Sequence, residues 1–221
     1  MNTTRFSTNR VVTTLTVLLF GAIWGFAEAT VGHALHLLPR LIAVPPLAGF
    51  VMFPIGVVFM LAAVHATRRP ATAFFVALVA ATVKFSSVVL PSVSWVFVQN
   101  PVVAIVLQGL TVWGLVTVLG FGANRAKAVV AALSAGVVWR LAFAALSVSL
   151  GVRWGLLTRG TSAVVQFVVF DSLVNAVIIV VLLHARLHLR AADAMRRFIG
   201  PTSVGAACAL AVIAEIGLRL I

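Results

Sequence analysis

The feature that most constrains the fold is a series of long apolar segments, separated by short gaps that hold most of the basic residues. Each segment approaches the ~20 residues with which an α-helix crosses ~30 Å of hydrocarbon. The sequence therefore predicts an all-α, polytopic membrane helix bundle. Asn100-Pro101 and Gly200-Pro201 are interpreted as helix starts, because proline is favoured in a first turn. The helices, about seven, are expected at residues 11–37, 46–66, 71–90, 101–122, 127–150, 163–185 and 201–221.

The composition indicates that the whole chain belongs to the membrane. Hydrophobic residues fill 62% of the 221 positions and charged residues 9%, and the mean hydropathy is +1.19. Soluble proteins carry about a quarter charged residues, and a soluble fold of this length could not enclose so much apolar surface. Residues 1–221 are therefore predicted to form a single integral membrane domain whose first partner is the lipid bilayer.

The basic residues predict the orientation. A formal net charge of +12 would indicate nucleic-acid binding in a soluble protein. Here the basic residues lie mostly in the gaps, where they set topology and meet anionic headgroups, so no nucleic-acid partner is predicted. With the N-terminus inside, ten basic residues are cytoplasmic and four lie outside. We therefore expect the cytoplasmic (inner) membrane of a prokaryote, with the N-terminus inside and the C-terminus outside.

Three ordered sequence matches indicate an internal repeat. The matched pairs are residues 21–29 with 136–144, 50–54 with 167–171, and 65–68 with 184–186. An odd-numbered unit repeats in the same orientation only if a linking helix intervenes, so a 3+1+3 arrangement is expected. Its parts are a first three-helix unit (1–90), a linking helix (101–122) and a second three-helix unit (127–221). Chance similarity between apolar segments is the alternative.

Several polar side chains fall inside the apolar segments at similar depth. Such groups are costly in lipid and usually face a packed interior or a water-filled cavity. At 1.5 Å per residue they lie roughly 9 to 15 Å from the outer helix ends. We therefore predict a shared polar pocket on the outward side that binds a small-molecule solute, with a purely structural network as the alternative. The predicted substrate-binding residues are Trp24, Glu28, Lys84, Gln108, Arg140, Asp171, Asn175 and Glu215.

The first helix combines a carboxylate with small residues. At 100° per residue, Gly21, Trp24, Gly25 and Glu28 lie on one face. Gly21, Gly25 and Ala29 have the small-xxx-small spacing that lets helices pack closely. Glu28 is either a ligand or proton site, or one residue of a packing seam. A cleaved signal peptide ending near Ala29 is the alternative to a retained helix, although the apolar run continues beyond it.

The partners of the buried charges are left open by the sequence. Lys84 and Arg140 can each pair with Asp171, Glu28 or Glu215. Asp171 and Asn175 are one turn apart on the same helix face, which predicts a hydrogen-bonding face.

No cofactor, metal site or enzymatic activity is predicted. Glu28, His33 and His36 are candidate ligands, but on a continuous helix His33 points about 140° away from Glu28. They also lack the i, i+4 histidine pair of helical metal sites. No phosphate loop, G-x-S-x-G, H-E-x-x-H or CxxC motif occurs, so an ATP-driven role would need separate ATPases.

The chain resembles the substrate-binding S components of energy-coupling factor (ECF) transporters for vitamins and metals. The resemblance is architectural: near-total membrane embedding, an outward polar layer, and small residues on the first helix at Gly21, Gly25 and Ala29. It implies that the chain binds a solute near the outer face. It also implies that the small residues pack against a transmembrane coupling subunit that works with ATPases. The expected function is membrane transport, as a substrate-binding subunit.

Two other functions remain open. A stand-alone 3+1+3 carrier or channel would look like the SWEET sugar transporters or the trimeric intracellular cation channels. No Pro-Gln dipeptide occurs, which counts against the sugar-transporter group. A structural membrane subunit would use the buried charges only for folding specificity.

Overall fold

The computed structural model describes residues 10–35, 48–91, 93–120, 124–149 and 160–220. These residues form helices and no strand, which confirms the predicted all-α class. We number the helices in chain order. They are α1 (Arg10–Leu35), α2 (Ala48–Thr67), α3 (Thr72–Val89), α4 (Trp95–Leu119), α5 (Arg125–Ser149), α6 (Thr161–His184), α7 (Leu187–Met195) and α8 (Pro201–Gly217). His36 lies outside the described residues.

Six of these helices, α1 to α6, are long and apolar enough to cross a membrane. Large hydrophobic side chains such as Val118, Leu141 and Val177 are exposed on their outer faces. A soluble monomer rarely exposes apolar surface on this scale, so the surface agrees with a membrane-embedded bundle. A seventh span exists only if α7 and α8, which are bent by 115° relative to each other, are counted together.

The helix α7 was not predicted from the sequence. It is amphipathic: Ala192 is buried, whereas Arg190 and Asp193 are exposed. α7 packs against α2. The predicted segment at 201–221 corresponds to α8, in which Pro201 occupies the first turn, and this predicted helix start is confirmed.

The predicted helix start at Asn100-Pro101 is wrong. α4 begins at Trp95, after Ser94 in an extended conformation, and Pro101 lies inside the helix. Proline has no N–H, so it leaves the carbonyl four residues earlier, that of Phe97, without its helical hydrogen bond. Membrane helices tolerate this loss because neighbouring groups satisfy the freed carbonyl.

The centre of the bundle is α2. It contacts α1, α3, α6 and α7, and contacts α4 less extensively, while α8 packs on α1 and α3. The alternating helix directions gather exposed basic residues at one end of the bundle, which we call the basic end. These residues are Arg10, Arg68, Arg69, Lys127, Arg186, Arg190 and Arg197. The orientation of this end relative to the cell stays a prediction.

The proposed repeat has mixed support in the packing. The matched residues Arg68 and Arg186 follow the ends of α2 and α6, and both have a left-handed backbone, with φ of 59° and 54°. However, α8 packs on α1 and α3, whereas the third helix of the first unit, α3, packs on α1 and α2 of its own unit. Among the described residues, α8 has its main contacts with α1 and α3, and the 3+1+3 arrangement stays a prediction.

Glycines let the helices of this bundle approach closely. A Cβ atom at Gly21 would collide with Val79 of α3, and one at Gly25 would lie 2.7 Å from Val83 Cβ. Ala29 is also buried. The small residues of α1 therefore pack within the chain itself.

Gly109 of α4 offers a test of this packing. A Cβ atom there would collide with Ala77 of α3, whereas one at Gly114, in the same helix, would meet nothing within 4 Å. We expect Gly109→Ala to lower stability by about 1–2 kcal/mol through overpacking. Gly114→Ala should be neutral or stabilising by up to about 1 kcal/mol, because alanine favours helix. Thermal unfolding of the two purified variants in detergent checks this, and equal stability would contradict the packing.

Candidate functional site

The first buried charged group joins α3 and α8. Lys84 Nζ donates to Glu215 Oε2 over 3.1 Å, and both side chains are almost fully buried. Arg219 Nε lies 3.4 Å from the other carboxylate oxygen, and its side chain is 17% exposed. The pairing that the sequence left open is therefore Lys84 with Glu215.

Glu28 lies near this group without joining it. It is within electrostatic range of Lys84 and Glu215, yet it makes no ion pair within 4 Å among the described residues. Trp24, one turn earlier, is fully buried beside Gly56, and its ring would collide with a Cβ atom there. Trp24 Nε1 is near the Glu28 carboxylate but reaches no acceptor with hydrogen-bonding geometry in the described chain.

The second buried charged group surrounds Arg140 of α5. Its guanidinium donates from Nη2 to Asn175 Oδ1 over 2.6 Å, and from Nη1 to Ser172 Oγ and Gly136 O over 3.4 and 3.2 Å. The guanidinium also lies 4.5 Å from the ring centre of Trp139. Three hydrogen bonds and an aromatic ring thus hold a side chain with no exposed surface.

Asn175 connects this group to α2 through a proline. Pro54 lies inside α2 and lacks an N–H, so the carbonyl of Phe50, four residues earlier, loses its helical donor. Asn175 Nδ2 supplies a replacement over 2.9 Å. One amide therefore accepts from Arg140 and donates to the Phe50 carbonyl, and it links α5, α6 and α2.

Asp171 is a looser neighbour of Arg140. It lies within electrostatic range of the guanidinium, but the two make no ion pair within 4 Å in the part of the chain that the structure describes. Its Oδ1 is buried without a hydrogen bond. The predicted hydrogen-bonding face of α6 is used by Ser172 and Asn175.

A cavity of about 220 Å³ lies between the two charged groups, in the half of the bundle remote from the basic end. Its walls are the end of α1, the starts of α2, α4 and α6, and the second half of α5. Most of the lining is apolar. The polar lining residues are Glu28, Asn100 and Gln108, together with the indole of Trp139.

Three polar atoms of this lining have no hydrogen-bond partner among the described residues. Asn100 Oδ1, Gln108 Oε1 and Trp139 Nε1 are all buried and make no hydrogen bond in the described residues. A buried polar group left without a partner costs about 1–3 kcal/mol. Native proteins satisfy such groups with ordered water or a ligand. The three atoms have almost no exposed surface, so the cavity contents reach them only after these side chains turn toward the cavity.

Two π-helical turns contribute to the same cavity. One is Glu28–Gly32 in α1, which begins with Glu28, and the other is Gln166–Phe170 in α6, which contains Phe167. Both Glu28 and Phe167 line the cavity. π-turns inside α-helices are rare and frequently occur at functional sites, and these two are the π-turns of the described chain.

The predicted site residues do not form one shared pocket. Glu28 and Gln108 line the cavity, whereas the others belong to the two charged groups or, for Trp24, to the α1–α2 contact. Sequence reasoning missed Asn100, which it placed in a gap, and the aromatic lining. No group of three or more His, Cys, Asp or Glu side chains capable of holding a metal is found in the described ranges.

No known protein family, curated protein or solved structure matches the chain.

Proposed function

We propose that the chain is a membrane transport protein that binds a small solute in the cavity between α1, α2, α4, α5 and α6. The observation that carries the proposal is the convergence of polar side chains on one cavity; two of them, Asn100 and Gln108, carry an oxygen without a hydrogen-bond partner among the described residues. Glu28, Asn100 and Gln108 come from two helices and share one space. The π-turns that place Glu28 and Phe167 in the lining add to this support.

The Arg140 group and the cavity differ in how far their polar atoms are paired. Arg140, Ser172 and Asn175 make several hydrogen bonds with one another and with backbone carbonyls, although Arg140 Nε and Asp171 Oδ1 have no hydrogen-bond partner among the described residues. At the cavity, all three buried polar atoms named above lack a partner in the same part of the chain. This difference supports solute binding over a purely structural role.

A role like that of an ECF S component is the second candidate. That role would use the small residues of α1 to dock a coupling subunit, but α3 already covers Gly21 and Gly25. A coupling subunit would have to dock on another face. The packing therefore favours a carrier that works alone.

Native mass spectrometry of gently extracted protein tests solute binding. We expect a retained small molecule on the wild type and its loss in Glu28→Gln, which removes the carboxylate, and in Ala104→Phe, which fills the cavity. Asp171→Asn is the matched control, because it makes the same acid-to-amide change outside the cavity lining. Retention that is unchanged in Ala104→Phe, or no retained molecule in any variant, would contradict the proposal.

A further inference from the structure

We propose that the solute is a small amine, with an apolar body of about the size of a substituted aromatic ring and a protonated nitrogen that binds Glu28. This inference rests on the proposed function and adds the chemical class of the solute. It follows from the placement of one carboxylate, two amide oxygens without a partner among the described residues and a cluster of aromatic side chains around one cavity.

The charge of the cavity lining determines whether a cationic or an anionic solute is favoured. Glu28 is the one ionisable residue among those that line the cavity in the described chain. Lys84, a buried cation within electrostatic range of Glu28, is engaged by Glu215 at 3.1 Å. Arg219 is partly exposed and is therefore screened by solvent. Among the described residues, Glu28 therefore has no counter-charge within ion-pair distance, and an ammonium group in the cavity would supply one.

Arg140 does not offset this preference. Its guanidinium is held by Asn175, Ser172 and Gly136, and it does not line the cavity. An anionic solute would meet the Glu28 carboxylate, and none of the described lining residues is a cation. Like charges at close range in a buried site are strongly unfavourable, so the lining discriminates against carboxylates and phosphates.

The amide groups add hydrogen-bonding capacity without changing this preference. Asn100 Oδ1 and Gln108 Oε1 are unpartnered acceptors, and an ammonium group has three N–H donors and no acceptor. A solute rich in donors can therefore satisfy the carboxylate and an amide oxygen together. An amide can also rotate so that its NH₂ group, a donor, faces the cavity. The amides therefore do not select between donor and acceptor solutes, and the Glu28 carboxylate determines the chemical class of the solute.

The remaining walls fit an apolar body. Phe53, Trp139, Phe143 and Phe167 line the cavity, and the Trp139 ring lies 5.7 Å from Phe53 and 5.6 Å from Phe167 between ring centres. A cavity of about 150 Å³ holds a benzene molecule. A volume of about 220 Å³ therefore admits roughly ten non-hydrogen atoms, the size of an arylalkylamine.

Titration with three probes of similar size tests the class. The probes are 2-phenylethylammonium, 2-phenylethanol and 3-phenylpropionate, added to the purified full-length protein near neutral pH and followed by calorimetry. We expect the amine to bind about 10- to 100-fold more tightly than the alcohol, as expected for a hydrogen bond to a charged group. The carboxylate should bind least.

The variants distinguish an error in the proposed chemical class of the solute from an error in the proposed binding cavity. Glu28→Gln should bring amine affinity down to that of the alcohol, Glu28→Asp should keep the preference, and Asp171→Asn should leave all three affinities unchanged. If the alcohol or carboxylate binds as tightly as the amine, and Ala104→Phe blocks binding, the amine class is overturned while the binding cavity stands. If no probe binds the folded wild type, both are overturned.

Discussion

Glu215→Ala is expected to lower the free energy of unfolding by about 3–5 kcal/mol, because it leaves Lys84 buried without its contacting partner. Lys84 is 2% exposed and its Nζ is 3.1 Å from Glu215, so water cannot replace the carboxylate without rearrangement of α3 and α8. Chemical or thermal unfolding of the purified protein in detergent measures the loss.

Two further variants show whether stability depends on the ion pair itself or only on leaving one of its two charges without a partner. Lys84→Met should cost less than Glu215→Ala, because Glu215 keeps Arg219 at 3.4 Å. The double variant Lys84→Met/Glu215→Met should recover most of the lost stability, since a well-packed apolar pair often replaces a buried ion pair without loss. A double variant as unstable as Glu215→Ala would refute this account of the group.

Asn175→Ala is expected to lower the free energy of unfolding by about 2–3 kcal/mol, because it removes a hydrogen bond to a charged group and a second one to a backbone carbonyl. Arg140 loses its shortest contact, at 2.6 Å, and the Phe50 carbonyl loses its donor. Gln166→Ala is the matched control: it truncates an exposed amide on the same helix and should change stability little.

Pro54 makes the second hydrogen bond testable on its own. Pro54→Ala restores an N–H at position 54, which can bond to the Phe50 carbonyl within α2. Asn175→Ala should then cost about 1 kcal/mol less in the Pro54→Ala background than in the wild type. Strict additivity of the two substitutions would show that Asn175 does not replace the bond that the proline removes.

The class of the fold could be predicted because it depends on segment length alone. Runs of about twenty apolar residues define spans wherever their neighbours lie, and Pro201 at a first turn is a local signal that the structure confirms. Pro101 was misinterpreted because the same residue is tolerated inside a membrane helix. The helix α7 was missed because it is short and its apolar face is narrow.

The site was less predictable from the sequence. The position of a residue along its helix indicates its depth, but it does not indicate which neighbouring helix its side chain faces. Glu28 and Arg140 are at similar predicted depths, yet Glu28 lines the cavity while Arg140 is turned toward Ser172 and Asn175 of α6. Which helices become neighbours decides these partners, and helix neighbours are set by packing. The aromatic lining was missed for the same reason, since phenylalanines occur throughout the apolar segments.

The buried Lys84–Glu215 pair also constrains how the protein is made. Its members are 131 residues apart, so at ~5–20 residues per second the ribosome needs on the order of ten seconds after Lys84 to reach Glu215. Asn175, the partner of Arg140, is synthesised only 35 residues after it. We therefore expect α3 to reach its final place beside Glu215 only after the last helix is made. Final placement of α3 is thus a late event of biogenesis.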